Sequence, residues 1–172
     1  MSSYLLDTTL AGNYPMRAPF WRAFGELMQK VEGEDARRAV MWSNLFRVDW
    51  NGGSVLKAEP QALQKIGAAQ RSLLRDEVAI LQPGSVVFLT GPNYDFELKA
   101  EFNDVEFHTV DCIPIRRLAR LSHPGLPFKS FRTYHPAYLS RSKSWNLIAQ
   151  IARHIGLSTP LKTGQRGLLS ST

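Results

Sequence analysis

A single cysteine, Cys112, means that this chain can close no internal disulfide and can assemble no Cys-based metal cluster of its own. No apolar run approaches the roughly 18 residues that cross a bilayer, so no membrane partner is expected. Met1–Asp7 has neither a basic leader nor a long apolar core, so it does not read as a signal peptide, and a cytoplasmic setting is the default expectation. There is no internal repeat, no phosphate-binding glycine loop and no recognisable nucleophile triad. Acid is also scarce where it matters. From Asp111 to the C-terminus there are ten Lys/Arg and one acid, whereas the first 110 residues carry eleven bases and fourteen acids. The net charge of +6 therefore resides in the C-terminal third. Such a field suits a polyanion, nucleic acid being the commonest, although a solvated basic surface has the same composition.

What is present fits a globular domain. The chain has 172 residues, 44% of them hydrophobic, enough to bury a substantial core. Pro19 opens a helix whose apolar face runs through Phe20, Phe24, Leu27 and Val31. Ala39–Trp42 reads as a fully buried strand ending at Asn44. Gln61 to Leu81 reads as one long helix, stopped by Pro83-Gly84. Ser85–Thr90, β-branched and apolar, has the pattern of a central parallel strand covered on both faces. A short helix is expected near Phe96–Phe102, an edge strand over Val105–Val110, and a basic helix over Ile115–Leu121 carrying Arg116, Arg117 and Arg120. The last helix spans Trp145–Ile155, with Trp145, Ile148, Ala149, Ala152 and Ile155 inward and Gly156 as its cap. Residues 1–157 form one domain in this reading and 158–172 a flexible polar tail. Alternation of strands and helices predicts an α/β fold, a three-layer sandwich around a largely parallel sheet.

The most informative stretch is 128–143. Phe128–Tyr134 alternates bulky and small or polar residues and reads as a strand. His135-Pro136 ends it, because proline has no N–H for the ladder. A polar loop carrying Arg141 and Lys143 follows. A His before Pro is commonly just a turn residue, and Asn44 at a strand end is commonly just a cap. In a parallel sheet, however, two carboxyl strand ends at Asn44 and His135 open onto one crevice, where such folds place their ligands.

Three segments together resemble the uracil-DNA glycosylase superfamily. They are Trp42-Ser43-Asn44-Leu45, then Leu81–Gly91 at the centre, then Tyr134-His135-Pro136-Ala137 ahead of the last helix. The resemblance runs in order from about Pro19 to Ile155. It implies that Asn44 reads the edge of a flipped-out base and that His135 donates to the oxygen gaining charge as the glycosidic bond breaks. It also implies that Tyr138 or Leu139 enters the minor groove as a wedge, with Arg141 and Lys143 on phosphates. Two departures stand out. Ala137 replaces the usual serine, and the 18 residues before Pro19 hold no Gly-x-Asp-Pro-like segment to activate water. Asp7 and Asn13 are the only side chains there that could substitute. The chain thus resembles a family member without its first strand and water-activating loop. The iron–sulfur branches need four cysteine ligands, so no metal or cofactor is implied.

Three functions compete. One is a monomeric glycosylase-like enzyme, or its inactive remnant, acting on uracil or a damaged base in DNA, single-stranded DNA included. A second is a non-catalytic nucleic-acid-binding protein that keeps the base pocket and basic face. The third is an unrelated small-molecule α/β enzyme.

Overall fold

The structure, a computed structural model, describes residues 18–28 and 40–156. Its architecture is mixed α/β, with a four-stranded sheet in the order β1-β4-β3-β2. The strands are β1 (Ser85–Phe88), β2 (Glu106–Thr109), β3 (Leu118–Ser122) and β4 (Lys129–Thr133). Only β1 and β4 pair in parallel, with Val87 opposite Phe131. The other two pairings, β2 with β3 and β3 with β4, are antiparallel. The expectation of a largely parallel sheet is therefore met at one pairing alone. β1, expected at the centre, lies at one end of the described sheet, and the inner places belong to β3 and β4, with Ser130 to Thr133 of β4 all buried.

The helices are α1 (Pro19–Met28), α2 (Pro60–Ala69), α3 (Leu73–Leu81), α4 (Asp95–Glu101), α5 (Pro136–Arg141) and α6 (Asn146–Gly156). Two hydrophobic clusters divide them. Ala23 of α1, Leu139 of α5 and Leu147, Ile148 and Ile151 of α6 pack with Leu118 and Phe131. Val78 of α3 and Leu98 of α4 pack with Phe88, Ala119 and Leu121. Neighbours along a strand point to opposite faces, so Leu118 and Ala119 place the two clusters on opposite sides of the sheet. Among the described residues no helix is long and apolar enough to cross a membrane.

Several local expectations are overturned, each for a tertiary reason. Val40–Trp42 forms no strand, and Met41 and Trp42 are 50% and 39% exposed. Trp42 instead leans on α1, its ring 5.4 Å from that of Phe20. Ala39 and Val31 lie outside the described residues, as do 1–17 and the tail beyond Gly156. The long helix over 61–81 is two helices. Ser72 adopts a left-handed φ of 72° between them, and its N–H donates to the buried Glu101 carboxylate at 3.2 Å. The basic helix over 115–121 is strand β3 instead, because Leu118 and Leu121 fill clusters on opposite faces of the sheet. In α6 the inward set includes Leu147 and Ile151, while Ala149 is exposed.

One residue on β4 needs a special partner. Arg132 is fully buried, with Nε and Nη2 at 2.9 and 3.0 Å from the Asp95 carboxylate and Nη1 donating to the Arg116 carbonyl at 3.0 Å. Truncation by Arg132→Ala leaves Asp95 without its counter-charge and empties a core position. The expected loss is about 3 kcal/mol of unfolding free energy, the lower end for a broken buried pair because Asp95 is partly open to solvent. Urea denaturation checks it, and an unchanged midpoint would show that the pair contributes nothing.

Candidate nucleic-acid interface at one end of the sheet

Parallel pairing puts the carboxyl ends of β1 and β4 side by side, and the antiparallel β3 brings its amino end to the same place. Gly91, just past β1, has φ of 79° and donates its N–H to the Thr133 carbonyl at 2.9 Å. That left-handed turn suits glycine, and an added Cβ would lie 3.6 Å from the Tyr134 ring. Tyr134 in turn packs on Tyr138, with ring centres 4.5 Å apart. The end of the sheet is thus built from Gly91, Tyr134, His135 and the start of α5.

His135 follows β4 and caps α5. Pro136 has no N–H, so the first donor available to the imidazole is that of Ala137, which binds Nδ1 at 3.2 Å. A ring that accepts at Nδ1 and is neutral must carry its proton on Nε2, leaving one N–H as a donor. Although much of the residue is open to solvent, desolvation of its ring lowers the pKa below the ordinary 6.5, and the charge of Arg141 lowers it further. At neutral pH His135 is accordingly an uncharged donor.

The segment after Pro136 is not a loop but the six-residue helix α5. That changes the role of its side chains. Leu139, expected as a wedge, is fully buried against α1 and α6 and cannot enter a groove. Tyr138 is 45% exposed and remains available. Arg141 and Lys143 are exposed, as expected. Beside them stand Arg116 and Arg117, also exposed, which the sequence reading placed on a helix. Their backbone is pinned to the sheet end, since Thr133 Oγ1 donates to the Arg117 carbonyl at 2.9 Å and Arg132 binds that of Arg116. Arg117 Nη2 reaches Ser144 Oγ at 3.4 Å, joining the β3 side to the α5–α6 turn. Leu118, Ala119 and Leu121 are buried on both faces of the sheet, so this stretch carried no period-2 alternation to mark it as a strand.

Asn44 is placed differently from expectation. It ends no strand; it is exposed in the irregular segment just before a bend at 45–48, and its carbonyl accepts from Arg47. Arg47 also pairs with Glu77 of α3. The same segment does touch the site end through Phe46, whose ring lies 6.2 Å from that of Tyr94. Among the described residues no hydrogen bond links Asn44 to His135 or to α5. The carboxylate at this sheet end is Asp95, raised above 3.8 by burial and pulled back by Arg132. Among the described residues no cluster of three or more His, Cys, Asp or Glu side chains could hold a metal ion.

A depressed pKa means that the unfolded chain binds the His135 proton more tightly than the native state does. Between the native pKa and 6.5 the stability contributed by this residue therefore rises with pH, and below the native pKa that gain is absent. An NMR titration should give a His135 midpoint below 6.5, and Arg141→Gln should move it upward. A midpoint at or above 6.5 would contradict the neutral-donor description. Searches among family models, curated proteins and solved structures find nothing that matches this chain.

Proposed function

We propose that this chain is a uracil-DNA glycosylase-like protein that binds DNA at the His135 end of its sheet, as a cytoplasmic monomer, and contributes little base excision. The observation that carries the reading is the gathering of Arg116, Arg117, Arg141 and Lys143 around His135 and Tyr138. Four exposed cations with a half-exposed aromatic ring offer phosphate contacts and a surface for an unpaired base. With Leu139 in the core, Tyr138 is the one wedge candidate of α5 left on the surface, which favours single-stranded DNA. Helices on both faces of the sheet support the finer three-layer reading of the fold.

The catalytic reading rests on a different observation, the free Nε2–H of His135 beside a strand end. A uracil leaving its sugar gains negative charge on a carbonyl oxygen, and a preorganised neutral donor stabilises it. Nothing among the described residues positions water against the sugar carbon. Asp95 is engaged by Arg132, and Asp7 and Asn13 lie outside the described residues. Excision is expected to be slower by about 10²–10⁴-fold than where a general base assists.

Anisotropy of a labelled single-stranded oligonucleotide, titrated at several salt concentrations, tests binding. The slope of log K against log salt is expected to fall by about 0.7 for each phosphate contact removed by Arg116→Gln, Arg117→Gln, Arg141→Gln or Lys143→Gln. Affinity indifferent to salt overturns the proposal. A single-turnover assay on uracil-containing DNA tests catalysis, with any slow cleavage expected to vanish in His135→Ala. Cleavage that survives that change removes His135 from the chemistry.

A further inference from the structure

The opposite end of the sheet carries a second His-Pro turn and, beside it, a cleft of about 390 Å³. His123 follows β3 as His135 follows β4. Here too proline supplies no N–H, and His123 Nδ1 accepts from the residue after it, Gly125, at 2.9 Å. With Nδ1 accepting, the donor left on the ring is Nε2–H. The turn is tightly built. A Cβ at Gly125 would fall 3.1 Å from His123 Nδ1, Leu126 N–H binds the His123 carbonyl at 3.0 Å, and the His123 ring meets Phe102 edge-on at 5.4 Å.

Two further side chains complete the wall. Phe128 is 67% exposed, the guanidinium of Arg120 lies 5.3 Å from its ring centre, and no carboxylate among the described residues pairs with Arg120. Glu106 on β2, in register with Ser122, is turned to His108 at 3.3 Å. Leu121 and Leu126 also line the cleft, and no acid does. It therefore presents an unpaired planar cation, an imidazole N–H donor and the Ser122 hydroxyl beside apolar side chains, next to an exposed aromatic ring.

We propose that this cleft binds an anion joined to a planar aromatic ring, the chemistry of a nucleotide unit. The Arg120 fork and His123 receive the phosphate, and the base stacks against Phe128, already backed by Arg120. A simple inorganic anion leaves the apolar surface unused, and an uncharged ring leaves Arg120 unpaired. Size agrees, since pockets for small ligands begin near 300 Å³. The inference does not depend on the His135 reading, because the two sites lie at opposite ends of β4 and share no residue.

Amide chemical shifts of the full chain, titrated with adenosine 5′-monophosphate, decide it. Shifts are expected at residues around Arg120, His123 and Phe128, with adenosine and inorganic phosphate each binding at least about fivefold more weakly. Phe128→Ala and Arg120→Gln should each weaken the nucleotide by about fivefold or more, and Arg141→Gln with Lys143→Gln should not. Phe128 is exposed, so its truncation spares the core. Arg120→Lys is the second variant; it keeps the charge but loses the planar fork and should also weaken binding. A thymidine oligonucleotide separates the sources. Equal affinity per unit marks a free nucleotide, and much tighter binding lost in Phe128→Ala marks a segment of a strand. No shift at the cleft at about 10 mM nucleotide, or binding unchanged in Phe128→Ala and Arg120→Gln, overturns the proposal.

Discussion

The buried guanidinium of Arg132 holds together parts of the chain that have no other reason to meet. It stands on the inner strand β4 with no solvent exposure, and a cation in that position is tolerable only when it is paired. The Asp95 carboxylate accepts from Nη2 and lies 2.9 Å from Nε, the Arg116 carbonyl accepts from Nη1, and the Phe107 ring lies 5.6 Å away. Those partners come from the start of α4, the turn before β3 and the edge strand β2. One side chain thereby fixes where α4 begins, how β3 enters the sheet and which way Arg116 and Arg117 leave it.

The mixed pairing of the sheet has a consequence for the basic surface. Had β3 run parallel to β4, its amino end would lie at the far side from His135. Because it runs antiparallel, Leu118 pairs opposite Thr133, and Arg116 and Arg117 arrive beside α5. Charge spread over almost thirty residues of sequence is concentrated at one end of four short strands. The cost falls on α5, which must pack on α1 and α6 and so commits Leu139 to the core. Tyr138, one residue earlier, is left on the outer surface by the same helical turn.

The two His-Pro turns illustrate how a local rule is reused. In each, proline removes the nearest backbone donor, the imidazole accepts from the next one at Nδ1, and the ring is left with Nε2–H as its donor. What differs is the surroundings. His135 meets Arg141 and a tyrosine pair, while His123 meets Phe102 and shares a cleft with Leu121 and Leu126. Identical dipeptides thus set up two donors in unlike environments at opposite ends of the sheet.

Local chemistry was sufficient for the elements whose signals are backbone signals. Pro19 opening α1, Pro83-Gly84 after α3, the alternation of β4, the His135-Pro136 boundary and the span of α6 all follow from φ restrictions, missing donors and periodic burial, which neighbours in sequence determine. The concentration of positive charge after Asp111 was equally plain. Tertiary structure alone decided the rest. An apolar run such as Val40–Trp42 looks the same whether a strand or an aromatic cluster covers it, and Trp42 chose the rings of α1. The spacing of Ile115, Leu118 and Leu121 suits a helix as well as a strand buried on both faces, and only the pairing with β2 and β4 separates them. Strand direction, and with it the company that His135 keeps, depends on contacts between residues far apart in sequence, which no local pattern encodes.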